Sequence, residues 1–83
     1  MPGPAKSPIS VAAATFGRRV RTHREALGLS QEKLADSAGL HWTFIGQVER
    51  GQRNLSLHNI IKVADAIHVD PGELVRGLRR SDL

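Results

Sequence analysis

Eighty-three residues without a cysteine make one domain near the lower size limit for a single apolar core, and they exclude disulfide staples, thiolate metal sites and thiol catalysis. The net charge of +4 is unevenly placed: residues 1–54 hold eight Lys or Arg against four acids, whereas residues 55–83 hold four of each. A basic half beside a balanced half points to a polyanion-binding surface next to a structural or self-associating one; charge kept for solubility alone is the plainer account.

Residues 1–9, with three prolines, a glycine and Lys6, have little to bury and read as a flexible lead. A first helix opens with Ile9, Ser10 and Val11, runs to about Leu27 and ends at Gly28; its inner face is Phe16, Val20, Arg24 or His23, and Leu27. Further helices are expected over 31–38, 42–50, 57–67 and from Pro71 to about Leu78, followed by a basic tail over 79–83. No segment alternates as a strand would, so the fold class is all-α with five helices, carried by residues 10–78.

The helix starts repeat one device. Ser30 is a good N-cap with Leu29 before it and Leu34 beyond, an apolar pair that staples the entering chain to the first turn. Ser56 repeats the arrangement with Leu55 and Ile60, and Asp70 with Val69 and Leu74. Pro71 suits the first helical position, and Glu73 is placed to complete a capping box. Leu40 and Ile45 bracket His41 in the same way, although histidine is a weak cap that costs about 1 kcal/mol relative to Ser or Asp.

Residues 31–50 carry the most specific pattern. Leu34 and Ala38 share one helical face and Ile45 and Val48 another, so the two stripes can close across a tight turn. Gly39 stands where the first of these helices must stop within one residue, a position that calls for left-handed backbone. Ala35 leaves room for the two helices to touch. Two short helices at a fixed angle form a helix-turn-helix, whose second helix enters the major groove of DNA.

The stretches LGLSQEKLADSAGL, IGQVERG and SLHNIIKVADAIHVDPGEL make residues 18–78 resemble the five-helix DNA-binding domain of lambda-repressor and Cro-type regulators, the XRE family. Within it, VERGQRNLSLHNIIKVADAI is most similar to the controller proteins of restriction–modification systems. The resemblance implies a cytoplasmic homodimeric transcription regulator on a pseudo-palindromic operator of double-stranded DNA, with no cofactor, metal or small-molecule ligand. A Cro-like or other stand-alone repressor is the alternative within that class. A protein-interaction adaptor or antitoxin module is the alternative from another.

Placing Ile45 and Val48 inward turns Trp42, Thr43, Gly46 and Gln47 toward base edges. Gln47 can pair with adenine, Thr43 can bond a base or lay its methyl on thymine, and Gly46 would allow close approach. Trp42 either makes an apolar contact with DNA or folds back over Leu40 into the core; both readings stand. Backbone contacts are expected from Gln31, Arg50 and the Gln52-Arg53-Asn54 turn, with Arg53 as a solvated loop arginine the competing account. The resemblance further implies a phosphate-touching, bracing role for Gln31 and an ion pair between Arg24 and Glu49. It also implies a contact between Glu32 and Asp36 and the RNA polymerase sigma subunit, against which stands a solvated acidic face.

A single recognition helix reads only about four base pairs, so pairing of two chains is expected. Helices four and five hold more apolar residues than one small core absorbs, and a subset of Ile67, Val69, Leu74, Val75 and Leu78 is the expected interface. Paired catalytic carboxylates, a Ser/His/Asp set, a phosphate loop and closely spaced histidines are all missing from the pattern, so an enzyme is not expected. Nor does any apolar run near the roughly 18 residues of a membrane span, or an N-terminal signal pattern, occur.

Overall fold

The computed structural model describes residues 7–83. Five helices follow in order: α1 (Val11–Ala26), α2 (Gln31–Ala38), α3 (Trp42–Glu49), α4 (Leu57–Ala66) and α5 (Pro71–Val75), with a 3₁₀ turn over Arg80–Asp82. Among the described residues there is no strand. Most of the expected flexible lead lies outside the described residues. At its end, the Ile9 N–H donates to the Gly51 carbonyl at 2.9 Å, which ties the entry to α1 against the turn after α3.

Every helix starts on a side-chain acceptor that takes one of the otherwise unpaired first-turn N–H groups. Ser10, Ser30 and Ser56 accept from the N–H three residues on, that of Ala13, Lys33 and Asn59, at 3.0 to 3.1 Å. Asp70 accepts from Gly72 at 2.7 Å and His41, through Nδ1, from Thr43 at 3.2 Å. Glu73 does not complete a capping box at Asp70; its carboxylate pairs with Arg76 one turn away.

The helix ends are equally regular. After α2, Gly39 takes φ +69°, its N–H donates to Asp36 and that of Leu40 to Ala35, the paired bonds of a left-handed cap. The same two bonds close α4, but the left-handed residue there is His68, at φ 59°.

The core gathers Phe16 and Val20 from α1, Leu34, Ala35 and Ala38 from α2, and Ile45 and Val48 from α3. Val63, Ala64, Ala66, Ile67 and Leu74 complete it from the C-terminal half. Four sequence expectations change here. Leu27 is 46 % exposed, because Gly28 turns the chain out before that residue can reach the core. Ile67 and Leu74, expected at an interface, are fully buried inside the chain, where α4 and α5 close on α1 and α2. The fifth helix stops at Val75 rather than near Leu78: the Arg19 guanidinium donates to the carbonyls of Leu74 (3.3 Å) and Arg76 (2.8 Å), and Gly77 at φ +73° redirects the chain. The tail then folds back, with the Arg79 N–H bonded to Asp82 at 2.9 Å.

Candidate nucleic-acid interface

The α2–Gly39–α3 corner fixes which side of α3 is free. Ile45 and Val48 are buried against α2, which leaves Trp42 and Thr43 exposed at the start of α3 and Gln47 half-buried one turn later. Trp42 is 51 % exposed and stacks on the His41 ring with centroids 6.1 Å apart, so it is not a core residue.

Gly46 departs from its expected place. It is buried, and a Cβ built there would lie 3.2 Å from Arg50 Nη1 and 3.6 Å from Gln31 Oε1. The Arg50 guanidinium and the Gln31 amide therefore lie across it, in the space a side chain would take.

Below the exposed face lies a polar brace. Arg24 Nε donates to Glu49 Oε2 at 2.6 Å and Nη2 to Oε1 at 3.0 Å, while Nη1 donates to the Leu29 carbonyl at 2.7 Å. Gln31 Nε2 donates to Glu49 Oε1 at 3.1 Å. These bonds join the end of α1, the start of α2 and the end of α3, setting the angle at which α3 is presented. The Glu49 hydrogen bond raises the pKa of Arg24, against the opposing pull of burial, so the guanidinium is firmly charged.

Arg53 is not a free loop arginine. Its Nε donates to Gln47 Oε1 at 2.8 Å and its guanidinium lies 5.5 Å from the centroid of the Phe44 ring. Arg53 is thereby held beside the exposed face of α3, and Gln47 keeps its amide N–H groups free of that bond. Arg50, Arg53 and Asn54 are exposed and Gln52 is half-buried, together following the end of α3. Glu32 and Asp36 are exposed on α2 and, with Leu40, His41 and Trp42, line a shallow pocket beside that face.

One residue and one contact in this assembly escaped the sequence reading. Gly17 is buried where α1 crosses the end of α3; a Cβ there would sit 2.1 Å from the Val48 carbonyl oxygen. A glycine between Phe16 and Val20, inside an otherwise helical run, was the available signal for such a close approach. The bond between Arg53 and Gln47 had no comparable signal.

The model of the family described as Helix-turn-helix matches residues 20–74, which span α2 and α3 and their supporting helices. The chain belongs to the helix-turn-helix family. It is 48 % identical over 61 residues to the control protein C.BamHI of Bacillus amyloliquefaciens, covering 72 % of this chain and 75 % of that one. The crystal structure of the restriction–modification controller protein C.AhdI from Aeromonas hydrophila superposes with a TM-score of 0.73 at 53 % identity, over 75 % of this chain and 94 % of the other. The P22 c2 repressor, solved in complex with a synthetic operator, matches with a TM-score of 0.70 at 27 % identity, over 76 % and 96 % of the two chains. This member of the family is a helix-turn-helix transcriptional regulator similar to restriction–modification controller proteins, and neither a stand-alone repressor nor an interaction module is favoured over that reading.

Proposed function

We propose that the protein acts in the cytoplasm as a homodimer on a pseudo-palindromic operator, as a restriction–modification controller. The observation that carries this is the exposed face of α3, held by the Arg24–Glu49–Gln31 brace and ending in Arg50 and Arg53. Thr43 and Gln47 read bases, Trp42 adds an apolar contact, and Gln31, Arg50, Gln52, Arg53 and Asn54 meet the phosphate backbone.

Of the expected interface residues, Val69, Val75 and Leu78 keep access to solvent. Val75 and Leu78 line an apolar groove of about 680 Å³ together with Ile9, Phe16, Ile60 and Leu83. Pairing through this C-terminal side sets two recognition helices about 34 Å apart, one turn of DNA.

Selection of bound duplexes from a randomised pool tests sequence reading, two-fold symmetry and half-site spacing together. A two-fold symmetric consensus is the expected result. A folded sample that binds all duplexes alike, or none, overturns the proposal.

Activation through the polymerase sigma subunit is a second reading, favoured by the exposed acids Glu32 and Asp36 beside a half-exposed tryptophan. Charge reversal at Asp36 is expected to spare operator binding and abolish activated transcription. Undiminished activation by that variant removes this contact from the account.

A further inference from the structure

We propose that His41 makes the Thr43 hydroxyl an acceptor-only group toward DNA, so that this position of α3 selects the amino-bearing bases adenine and cytosine. The inference rests on the reading of α3 as the base-reading helix.

His41 Nδ1 accepts the Thr43 backbone N–H at 3.2 Å and also lies 2.7 Å from Thr43 Oγ1. An imidazole nitrogen that accepts an N–H has no hydrogen of its own, since otherwise two hydrogens would face each other. The ring hydrogen therefore sits on Nε2, and the hydrogen between Nδ1 and Oγ1 belongs to the hydroxyl, which donates. A threonine hydroxyl has one hydrogen and two lone pairs. With its hydrogen turned back onto His41, the hydroxyl of the exposed Thr43 presents lone pairs alone.

Threonine in a recognition helix ordinarily serves either kind of base edge, because its hydroxyl rotates. Here rotation is restrained. Adenine N6 and cytosine N4 offer hydrogens in the major groove and meet the lone pairs; guanine O6 and N7 and thymine O4 are acceptors and meet them with repulsion.

The cap geometry shows why a histidine suits this place. The serine caps of α1, α2 and α4 reach the N–H three residues on, whereas His41 reaches only two on, which brings its ring beside the Thr43 side chain. Trp42 stacks on that ring with an interplanar angle of 24°. A residue that is weak as a cap thus has a second task at the start of the reading helix.

The test is selection of bound duplexes from a randomised pool by the wild-type protein and by Thr43→Val, His41→Gly and His41→Asp. The position read by Thr43 is the one whose preference disappears in Thr43→Val. Wild type is expected to favour adenine or cytosine there by about tenfold over guanine or thymine, the scale of one hydrogen bond gained against one refused. His41→Gly, tolerated at an N-cap, frees the hydroxyl and reduces that ratio toward unity. His41→Asp, which has acceptors only, keeps the preference.

Duplexes with purine in place of the selected adenine, or pyrimidin-2-one in place of cytosine, lack the amino group; wild type should bind them about fivefold more weakly and Thr43→Val equally well. This arm needs no change at His41, so it tests the acceptor role of Thr43 even if His41→Gly does not fold; a folded His41→Gly that keeps the full preference overturns the part assigned to His41. The inference is overturned, with the operator reading intact, by a Thr43-dependent preference for guanine or thymine, by the lack of any Thr43-dependent position, or by indifference of wild type to the missing amino group. A folded protein that selects no duplex overturns the operator reading and this inference together.

Discussion

Arg24 and Glu49 meet through two parallel bonds of 2.6 and 3.0 Å, with side chains only 11 % and 3 % exposed, and so fasten the end of α1 to the last turn of α3. The value of such a pair lies in geometry more than in net stability, because desolvating both ions offsets most of their attraction. Breaking it from one side is another matter. Glu49→Ala leaves the guanidinium with the Leu29 carbonyl alone and strips Gln31 Nε2 of its acceptor. A loss of about 3–5 kcal/mol is expected, read as a lower urea midpoint at unchanged slope. The raised pKa of Arg24 fixes the pH sign: a cation favoured in the folded state contributes fully below its unfolded pKa and is lost only as pH rises through the higher folded value. The gap between wild type and Glu49→Ala should therefore be the same at about pH 7 and pH 10. A variant as stable as wild type removes the brace from the account.

Gly17 is expected to tolerate no side chain. Alanine in a helix interior ordinarily gains about 1 kcal/mol over glycine. At this site, however, the Cβ would fall 2.1 Å from the Val48 oxygen and 2.8 Å from that of Glu49, and backbone carbonyls cannot rotate aside. α1 must move off α3, so Gly17→Ala should lose about 1–3 kcal/mol despite the propensity gain. Thermal melting decides the sign; a raised midpoint contradicts the close approach.

What the sequence made legible was local, and what it hid was tertiary. Ser30, Ser56, Asp70 and Gly39 act on their own first or last turns, so their roles follow from residue type and spacing. Periodicity likewise separated Leu34, Ile45 and Val48 from Thr43 and Gln47. It does not tell a helix face turned to solvent from one covered by another side chain, and for that reason it sets Gly46 outward although Arg50, one turn on, and Gln31, from the start of α2, lie across it. Ile67 and Leu74 read as surplus apolar residues because the depth of a small core depends on how four helices close, not on a count. The end of α5 was hidden for the same reason, being set by Arg19, more than fifty residues earlier.

His68 holds a conformation that glycine adopts at lower cost. It is exposed, at φ 59°, in the left-handed position that closes α4, where its Cβ crowds the backbone. His68→Gly is expected to stabilise the fold by about 0.5–1 kcal/mol, and His68→Val to destabilise it by more than that, since β-branching is least compatible with this region. Chemical denaturation of the two variants measures both. A stabilised valine variant would mean that the loop does not hold this backbone in solution.

Val75 offers the most direct test of pairing. It is 40 % exposed at the end of α5 and lines the apolar groove, yet takes no part in the core, so a charge there has little reason to unfold the chain. In a dimer closed over this face, Val75→Asp buries a carboxylate with its symmetry mate close by. Sedimentation should shift toward monomer at tens of micromolar, roughly, and operator affinity should fall with it because each half-site alone binds weakly. Unchanged sedimentation of a folded variant would place the interface elsewhere.

Gly46→Ala should separate folding from binding. The new Cβ is crowded only by the end of the Arg50 side chain, at 3.2 Å from Nη1, with Gln31 Oε1 at an ordinary 3.6 Å, and a flexible guanidinium can swing away. Helix propensity then makes the variant as stable as wild type or up to about 1 kcal/mol more so. The displaced charge is one of those assigned to the phosphate backbone, so affinity should drop for every duplex in about equal measure. The log–log dependence on salt should also become shallower by as much as about 0.9, the contribution of one neutralised phosphate. An altered base preference would instead mean that Gly46 or Arg50 reads the groove directly, and the covered position of this glycine would have to be reconsidered.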